Sequence, residues 1–284
     1  MSTQKGLHPK NIHNQGYDFK LLVKKYPKLS SFIIEKFENE TIDFSDPLAV
    51  KEFNRALLVS YYGITSWEFP DENLCPPIPG RVDYIHHLAD LVKGEKDVKV
   101  LDIGTGATCI YPLLGNAVYS WEFTASDIDA KSLSNAQKII DKNNLEDKIS
   151  LRYQKDETHI LKGITKEDDL FTLTMCNPPF YKSEEEARGA NRRKSRNLGN
   201  NAIRNFAGNS NELWYVGGEK AFLHTYLYES SQVPNASKWF TSLVSKKENV
   251  ESLQSSGKKL GVKEFKVIPM NQGNKVTRIV CWRF

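Results

Sequence analysis

The amino-acid sequence predicts an α/β protein with a Rossmann-like fold: a seven-stranded, mostly parallel sheet with a C-terminal antiparallel hairpin, plus a mainly helical N-terminal region. From residue 98 onward, short runs rich in β-branched and aromatic residues alternate with stretches of helical pattern. Such alternation is typical of parallel sheets whose strands are joined by helices. The chain ends in two β-rich runs, FKVIPM and VTRIVCWRF, joined by a short turn with Gly273 and Asn274. This ending predicts a hairpin whose last strand is antiparallel to its neighbours.

The composition is that of an ordinary globular protein. Hydrophobic residues make up 39% and charged residues 26% of the 284 positions, and no apolar run reaches the roughly 18 residues that a membrane span needs. The polar N-terminus lacks the apolar segment of a secretory signal. The cysteines form no C-x-x-C pair, which favours the reducing cytoplasm and disfavours structural zinc. We therefore expect a cytoplasmic protein with neither a membrane span nor a bound metal.

The N-terminal third is predicted to be separate in character from the rest. We expect residues 1–95 to form a mainly helical region and residues 96–284 to form the α/β domain. The segment SDPLAVKEFNRALLVSYYG predicts a helix that is capped at Ser45 or Asp46 and has Pro47 near its first position.

A second N-terminal helix is predicted in PPIPGRVDYIHHLADLVKG, with Arg81 just before it. The planar guanidinium of Arg81 could hold a carboxylate through two hydrogen bonds. The alternative is a salt bridge on the protein surface. The residues around Arg81 do not by themselves decide between the two.

The positive charge is concentrated in two segments. Residues 1–28 contain six lysines and one aspartate, and residues 181–206 contain seven basic and three acidic residues. Such an uneven distribution is expected of a protein that binds a polyanion. The alternative is that both segments are solvated and bind nothing.

The first strand of the α/β domain, residues 99–103, leads into a turn with two glycines. A dinucleotide-binding turn needs a third glycine, and Cys109 stands at that position. Gly104 and Gly106 instead suit the close approach of a smaller group, the amino-acid part of S-adenosylmethionine. Asp102 could then pair with its ammonium group. The alternative is a plain turn.

The next two strands also end in acidic residues. The strand at 121–127 ends in Asp127, which could accept both ribose hydroxyls of a nucleoside. Asp129 directly precedes a helical run and is better explained as its N-cap. After the strand at 149–154, Asp156 is predicted to lie near an edge of the adenine ring of S-adenosylmethionine.

The fourth strand, within residues 170–179, ends abruptly at two prolines. Prolines fix φ and donate no hydrogen bond, so they end a strand and leave carbonyl groups free. We predict that Asn177 and the carbonyl of Pro178, held rigid by Pro179, accept hydrogen bonds from one NH₂ group. Phe180 offers a face for a planar ring. The alternative is a turn that merely ends the strand.

The last part of the domain favours methyl transfer over dinucleotide binding. A fifth strand at 237–245 is followed by a helix that closes on Gly261, and the C-terminal hairpin follows. An antiparallel last strand separates the class I, S-adenosylmethionine-dependent methyltransferase version of this architecture from the dinucleotide-binding version. The predicted hydrogen-bond acceptors for an NH₂ group, Asn177 and the carbonyl of Pro178, agree with the assignment to methyltransferases.

Several longer stretches carry a family resemblance over nearly the whole chain: KGLHPKN (5–11), DFSDPLAVKEFNRALL (43–58), LCPPIPGRVDYIHHLADL (74–91), LDIGTGATCIYPLLG (101–115), CNPPF (176–180), GGE (217–219) and WFTSLVS (239–245). With these stretches the chain resembles the bacterial 23S rRNA adenine-N6 methyltransferases (RlmF type). That family is related to the eukaryotic spliceosomal-snRNA adenine-N6 methyltransferases.

The resemblance implies methylation of the exocyclic N6 amine of a specific adenine in 23S rRNA. It places Arg81, Gly104, Thr108, Asp127 and Asn177 in the S-adenosylmethionine and adenine sites. The expected partner is 23S rRNA or a ribosomal assembly intermediate, and the expected state is a monomer. The alternatives are the same chemistry on a spliceosomal-type RNA or on a glutamine side chain, and an RNA-binding module without activity.

The two basic segments are then predicted to bind RNA, and the N-terminal region of residues 1–95 is predicted to cover the RNA and the cofactor. In the N-terminal segment the candidates are Lys5, His8, Lys10 and His13. The polar stretch at 181–211 follows the two prolines directly, so we expect it to cover the mouth of the site and hold the RNA backbone. The alternative is a disordered insertion. Its candidates for phosphate contact are Arg192, Arg193, Lys194 and Arg196.

Overall fold

A computed structural model describes residues 6–179, 181–183, 185–186, 214–272 and 275–284. The N-terminal region consists of helices and one small hairpin. In chain order, the elements are a 3₁₀ helix (Ile12–Gln15), α1 (Phe19–Lys25), a second 3₁₀ helix (Pro27–Phe32), β1 (Ile33–Lys36), β2 (Asn39–Ile42), α2 (Pro47–Tyr62) and α3 (Ile78–Leu91).

The remaining strands form one seven-stranded sheet in the order β5-β4-β3-β6-β7-β9-β8. The first five of these are parallel to one another, and β9 is antiparallel to both β7 and β8. The elements are β3 (Lys99–Ile103), α4 (Ile110–Tyr119), β4 (Glu122–Asp127), α5 (Ala130–Lys142), β5 (Ile149–Tyr153), β6 (Phe171–Cys176), α6 (Gly218–Gln232), β7 (Ser237–Val244), α7 (Lys247–Lys259), β8 (Glu264–Gln272) and β9 (Lys275–Arg283). The predicted fold class is therefore confirmed.

Local signals in the sequence set several helix ends. The Asp46 carboxylate accepts a hydrogen bond from the Leu48 N–H at 2.9 Å, and Gly63 ends α2 with φ of 68°. Asp129 caps α5 as predicted, because it accepts from the backbone N–H groups of its first turn. One detail was wrong: Arg81 lies inside the first turn of α3, because the helix begins earlier, at Ile78.

The hydrophobic core lies on both faces of the sheet. Alternate residues of a strand point to opposite faces, so Val100 of β3 packs with Leu57 of α2 and Ile85 of α3. Leu101 packs on the other face, with Tyr226 of α6. The N-terminal region thus shares a core with the sheet, and the boundary between residues 95 and 96 remains a prediction. Within the described ranges, no helix has the length and hydropathy to cross a membrane.

Candidate cofactor and catalytic site

A cleft opens at the carboxyl ends of three adjacent parallel strands, where ligands bind in parallel sheets. The strands β4, β3 and β6 are neighbours, so the residues that follow them lie together. The cleft is lined by most of the residues predicted from the sequence: Arg81, Gly104, Gly106, Thr108, Asp127, Asn177 and Pro179.

The turn after β3 has a conformation that only glycine adopts easily. Gly104 has φ of 74° and Gly106 has φ of 64°, in the left-handed region that a side chain disfavours. The N–H groups of Gly104 and Thr105 both donate to the Ser126 carbonyl, at 2.9 and 3.0 Å. The turn is thereby tied to the neighbouring strand and presents its backbone to the cleft.

Asp102 is a buried acid at the end of β3 whose two carboxylate oxygens have no hydrogen-bond partner within the described residues. Asp102 is only 1% exposed. Burial raises the pKa of Asp102 to about 7; the nearby Thr105 hydroxyl and the charge of Arg81 lower it, and the charge of Asp127 raises it. A buried acid without a partner is costly, so this position suits a ligand that brings a positive charge.

We expect the unfolding free energy of the protein without a bound ligand to fall as the pH rises from 4 to 7, because Asp102 of the unfolded chain loses its proton in this range. The folded state holds this proton to about pH 7, whereas the unfolded chain releases it near pH 4. The folded state therefore binds more protons between these values, and a pKa difference of about three units corresponds to about 4 kcal/mol of unfolding free energy. Asp102→Asn should then exceed the wild type in melting temperature at pH 8 and match it at pH 4. Equal melting temperatures at pH 8 would contradict this.

Asp102 itself does not line the cleft, whereas Arg81 does, and the positive charge of Arg81 acts on the Asp102 carboxyl. The Nη1 of Arg81 donates to the Tyr111 hydroxyl at 2.9 Å, and its Nε has no partner among the described residues. The guanidinium also lies 5.5 Å from the centre of the Tyr111 ring. Arg81 and Asp102 together provide a cation and an acid, each with unused hydrogen-bonding capacity, which fits the carboxylate and ammonium of an amino-acid group.

Asp127 faces the cleft from the end of β4. Its Oδ2 accepts from the Gly106 N–H at 2.8 Å, and its Oδ1 accepts from the Asp129 N–H at 2.9 Å. Burial raises the pKa of this carboxyl. Each oxygen has room for one more hydrogen bond, so Asp127 both stabilises the glycine turn and retains acceptors for a ligand.

Asp156, which was predicted to lie near an edge of the adenine, is not one of the residues that line the cleft. It is exposed and accepts from the backbone N–H and the hydroxyl of Thr158 at 3.0 and 2.6 Å. Four other residues that follow β5 line the cleft: Gln154, Glu157, His159 and Ile160.

The end of β6 forms the opposite side of the cleft. Asn177 and Pro179 line it, and Pro178 is buried beside them. Cys176 is 1% exposed, and burial raises its pKa well above the ordinary value, so this thiol is unsuited to act as a nucleophile. Phe180, the predicted stacking residue, lies outside the described residues.

The N-terminal region contributes a wall of the cleft through Leu74 and Pro76. The Asn54 amide of α2 donates to the Pro76 carbonyl at 3.3 Å. The indole of Trp67 donates to the Thr108 carbonyl at 3.0 Å. These contacts hold an irregular segment against the glycine turn, which supports the prediction that the N-terminal region covers the cofactor.

The predicted RNA-binding histidines are buried. His8 is 7% and His13 is 8% exposed. His8 contacts Asp90 at 2.9 Å and His13 contacts the Tyr62 hydroxyl at 2.8 Å. Both rings therefore join the N-terminal segment to α2 and α3, and neither is free to meet a phosphate.

Lys10 is the one predicted basic residue of the N-terminal segment within the described ranges, and it is exposed. Its Nζ lies 3.2 Å from Asp90. RNA contact by Lys10 remains a prediction. The other basic candidates, Lys5, Arg192, Arg193, Lys194 and Arg196, lie outside the described residues.

Four aromatic residues of the cleft were not predicted: Tyr111, Trp214, Tyr215 and Phe222. The Tyr215 N–H donates to the Tyr181 carbonyl at 3.0 Å, so residues 181 and 215 meet beside the cleft. Within the described part of the chain, no cluster of three or more acidic, histidine or cysteine side chains could hold a metal ion.

Comparisons with known proteins agree with this geometry. The model of a family described as RNA methyltransferase matches residues 1–284. The ribosomal RNA large subunit methyltransferase F of Shewanella sp. (strain MR-7) is 49% identical, over 99% of this chain and 82% of its own length. The protein of the same name from Flavobacterium johnsoniae is 48% identical, over 100% of this chain and 95% of its own length.

Solved structures with the same fold include two of a human protein. The hMettl16 catalytic domain in complex with the MAT2A 3′UTR hairpin 1 has a TM-score of 0.86 and 30% identity, covering 99% of this chain and 96% of that one. The N-terminal domain of human METTL16 in complex with SAH has a TM-score of 0.78 and 28% identity, covering 99% of both chains.

Proposed function

The chain belongs to the RNA methyltransferase family whose model it matches over its whole length, and from this premise we propose that it methylates the N6 amine of an adenine in large-subunit ribosomal RNA. The methyl donor is S-adenosylmethionine. The observation that carries the proposal is the position of Asn177 and Pro179 in the same cleft as Arg81 and the glycine turn.

The residues of the cleft fit S-adenosylmethionine. Arg81 would hold its carboxylate, Asp102 its ammonium, and Asp127 the ribose hydroxyls. When bound, this cofactor supplies an electrophilic methyl group on a sulfonium. The unpartnered oxygens of Asp102 and the free Nε of Arg81 within the described residues support this arrangement.

Asn177 and Pro178 would receive the amine. The lone pair of an adenine amine is delocalised into the ring, which makes the nitrogen a poor nucleophile. When the Asn177 amide oxygen and the Pro178 carbonyl accept its two hydrogens, the pyramidal form with an available lone pair is favoured. No general base is needed before attack, which agrees with the inert, buried Cys176.

Phe180 would stack on the adenine. An adenine in a paired or stacked strand hides its amine, so the base must leave the stack to enter the cleft. Phe180 directly follows the two prolines, and an aromatic face holds a purine by stacking.

The substrate is proposed to be 23S rRNA, either free or in an assembling ribosomal particle, and the protein is proposed to act as a cytoplasmic monomer. The names of the bacterial relatives support ribosomal RNA. The test is mass spectrometry of nucleosides from 23S rRNA of cells with and without the gene, followed by mapping of the position. We expect N6-methyladenosine to disappear from one site. Its persistence, or loss of a methylated glutamine instead, would contradict the proposal.

Asp127→Ala should weaken S-adenosylmethionine binding about 10- to 100-fold, because it removes charge-assisted acceptors worth roughly 1.5–3 kcal/mol. The glycine turn also loses its bond from Gly106 to Asp127. Calorimetric titration measures the change, and circular dichroism checks the fold. A folded variant with wild-type affinity would remove Asp127 from the site.

A further inference from the structure

Glu229, on α6, is a buried acid that the proposed reaction does not use. It is 7% exposed. Its Oε2 accepts from three consecutive backbone N–H groups, those of Ile160, Leu161 and Lys162, at 2.9, 2.6 and 3.0 Å. Its Oε1 lies 2.8 Å from Nδ1 of His159. One side chain thus accepts the hydrogen bonds of three backbone N–H groups in a turn that lies outside any helix or strand.

The turn held by Glu229 is part of the cleft. Glu157, His159 and Ile160 line it. Gln154 makes a further hydrogen bond to this turn, because its Nε2 donates to the Lys162 carbonyl at 2.9 Å. The conformation of this segment therefore depends on side chains that reach it from outside, and Glu229 makes most of these bonds.

The strand order gives this turn a position relative to the proposed cofactor. The amino-acid group would lie at β3 and the ribose at β4, and β5 is the next strand in the sheet. The purine end of the cofactor is then left for the segment that follows β5. This step rests on the proposed function.

We propose that Glu229 is a positioning residue that shapes the purine-binding end of the cofactor site through residues 157–162. Glu229 touches neither cofactor nor substrate, and it acts by fixing the backbone and the His159 ring. The same helix, α6, also carries Phe222, another residue that lines the cleft.

The same helix offers a matched control. Glu219 is 3% exposed and accepts from the Ser245 N–H at 2.7 Å and from Asn249, but it is absent from the cleft lining. Glu229→Gln and Glu219→Gln each replace a buried, hydrogen-bonded carboxylate of α6 by an amide of the same shape. Glu229→Asp keeps the charge but withdraws it by one methylene.

The experiment is calorimetric titration of the whole protein with S-adenosylhomocysteine and with S-inosylhomocysteine, whose purine carries an oxo group in place of the amino group. We expect Glu229→Gln to bind S-adenosylhomocysteine about 10-fold more weakly, because the free energy of hydrogen bonds to a charged group corresponds to about this change in affinity. The variant should also lose much of the preference for S-adenosylhomocysteine over S-inosylhomocysteine. Glu229→Asp should change in the same direction, and Glu219→Gln should keep the wild-type preference.

The outcomes separate the inference from the proposed function. Wild-type preference in both Glu229 variants, or an equal loss in Glu219→Gln, would overturn the positioning role. A wild-type protein that binds neither compound would overturn the proposed cofactor and the inference with it.

Discussion

Asn177→Ala should lower the rate of single-turnover methylation by about 100-fold or more, because it removes an acceptor that is needed most in the transition state. Asn177 stands at the end of β6 in the wall of the cleft. The affinities for RNA and for S-adenosylmethionine should stay within a few-fold of wild type, because the proposed contacts to phosphates and to the methionine group lie elsewhere.

The matched control for Asn177 is its neighbour Cys176. This side chain also lines the cleft, and it offers no strong acceptor. Cys176→Ala should retain most of the rate. The measurement is rapid-quench methylation of a 23S rRNA fragment with enzyme in excess, with the methylated position identified. A wild-type rate in Asn177→Ala, or a methyl group on a ring nitrogen or a ribose, would show that the amine is not held as proposed.

The parts of the molecule that the sequence predicted depend on local patterns. The strand at 99–103 has the predicted bounds, because β-branched residues followed by G-x-G mark a strand and its turn. Asp127 could be placed because a parallel sheet brings the ends of adjacent strands together. The hairpin of β1 and β2 was not predicted, since its turn uses Phe37 and Glu38 at positive φ, where Asn or Gly is usual.

The errors concern partners that are distant in the chain. His8 is buried by Asp90, 82 residues away, and no local pattern around LHPKN indicates that contact. Polar residues in a segment with few apolar side chains suggested an exposed surface, but hydrogen bonds to α2 and α3 hold the segment in place. Glu229 was missed for the same reason, because its partners lie 67 to 70 residues earlier.

The second large effect is expected in RNA binding. Replacing Arg192, Arg193, Lys194 and Arg196 together by Ala should flatten the salt dependence of binding. Each contact between a basic side chain and a single-stranded phosphate contributes about −0.7 to the slope of log affinity against log salt. Losing all four should therefore reduce the slope by about three units.

The residues that flank the segment support this expectation, and the four replaced residues themselves lie outside the described part of the chain. The backbone bond between Tyr215 and Tyr181 brings the two ends of the segment together at the cleft. RNA that delivers an adenine to Asn177 should therefore pass close to Tyr215, which flanks the segment and lines the same cleft. The control variant replaces four exposed lysines on and beside α7 by Ala: Lys246, Lys247, Lys258 and Lys259. It changes the net charge of the protein by the same amount.

Fluorescence anisotropy with a labelled rRNA fragment, measured over a range of salt concentrations, distinguishes specific phosphate contacts from net charge. Loss of net charge alone should weaken binding similarly in the two quadruple variants. Direct contact predicts a slope that falls by about three units in the 192–196 variant and by less than one in the α7 variant. Equal slopes in both would mean that this segment does not hold the RNA backbone, and the contacts would then have to come from the N-terminal lysines.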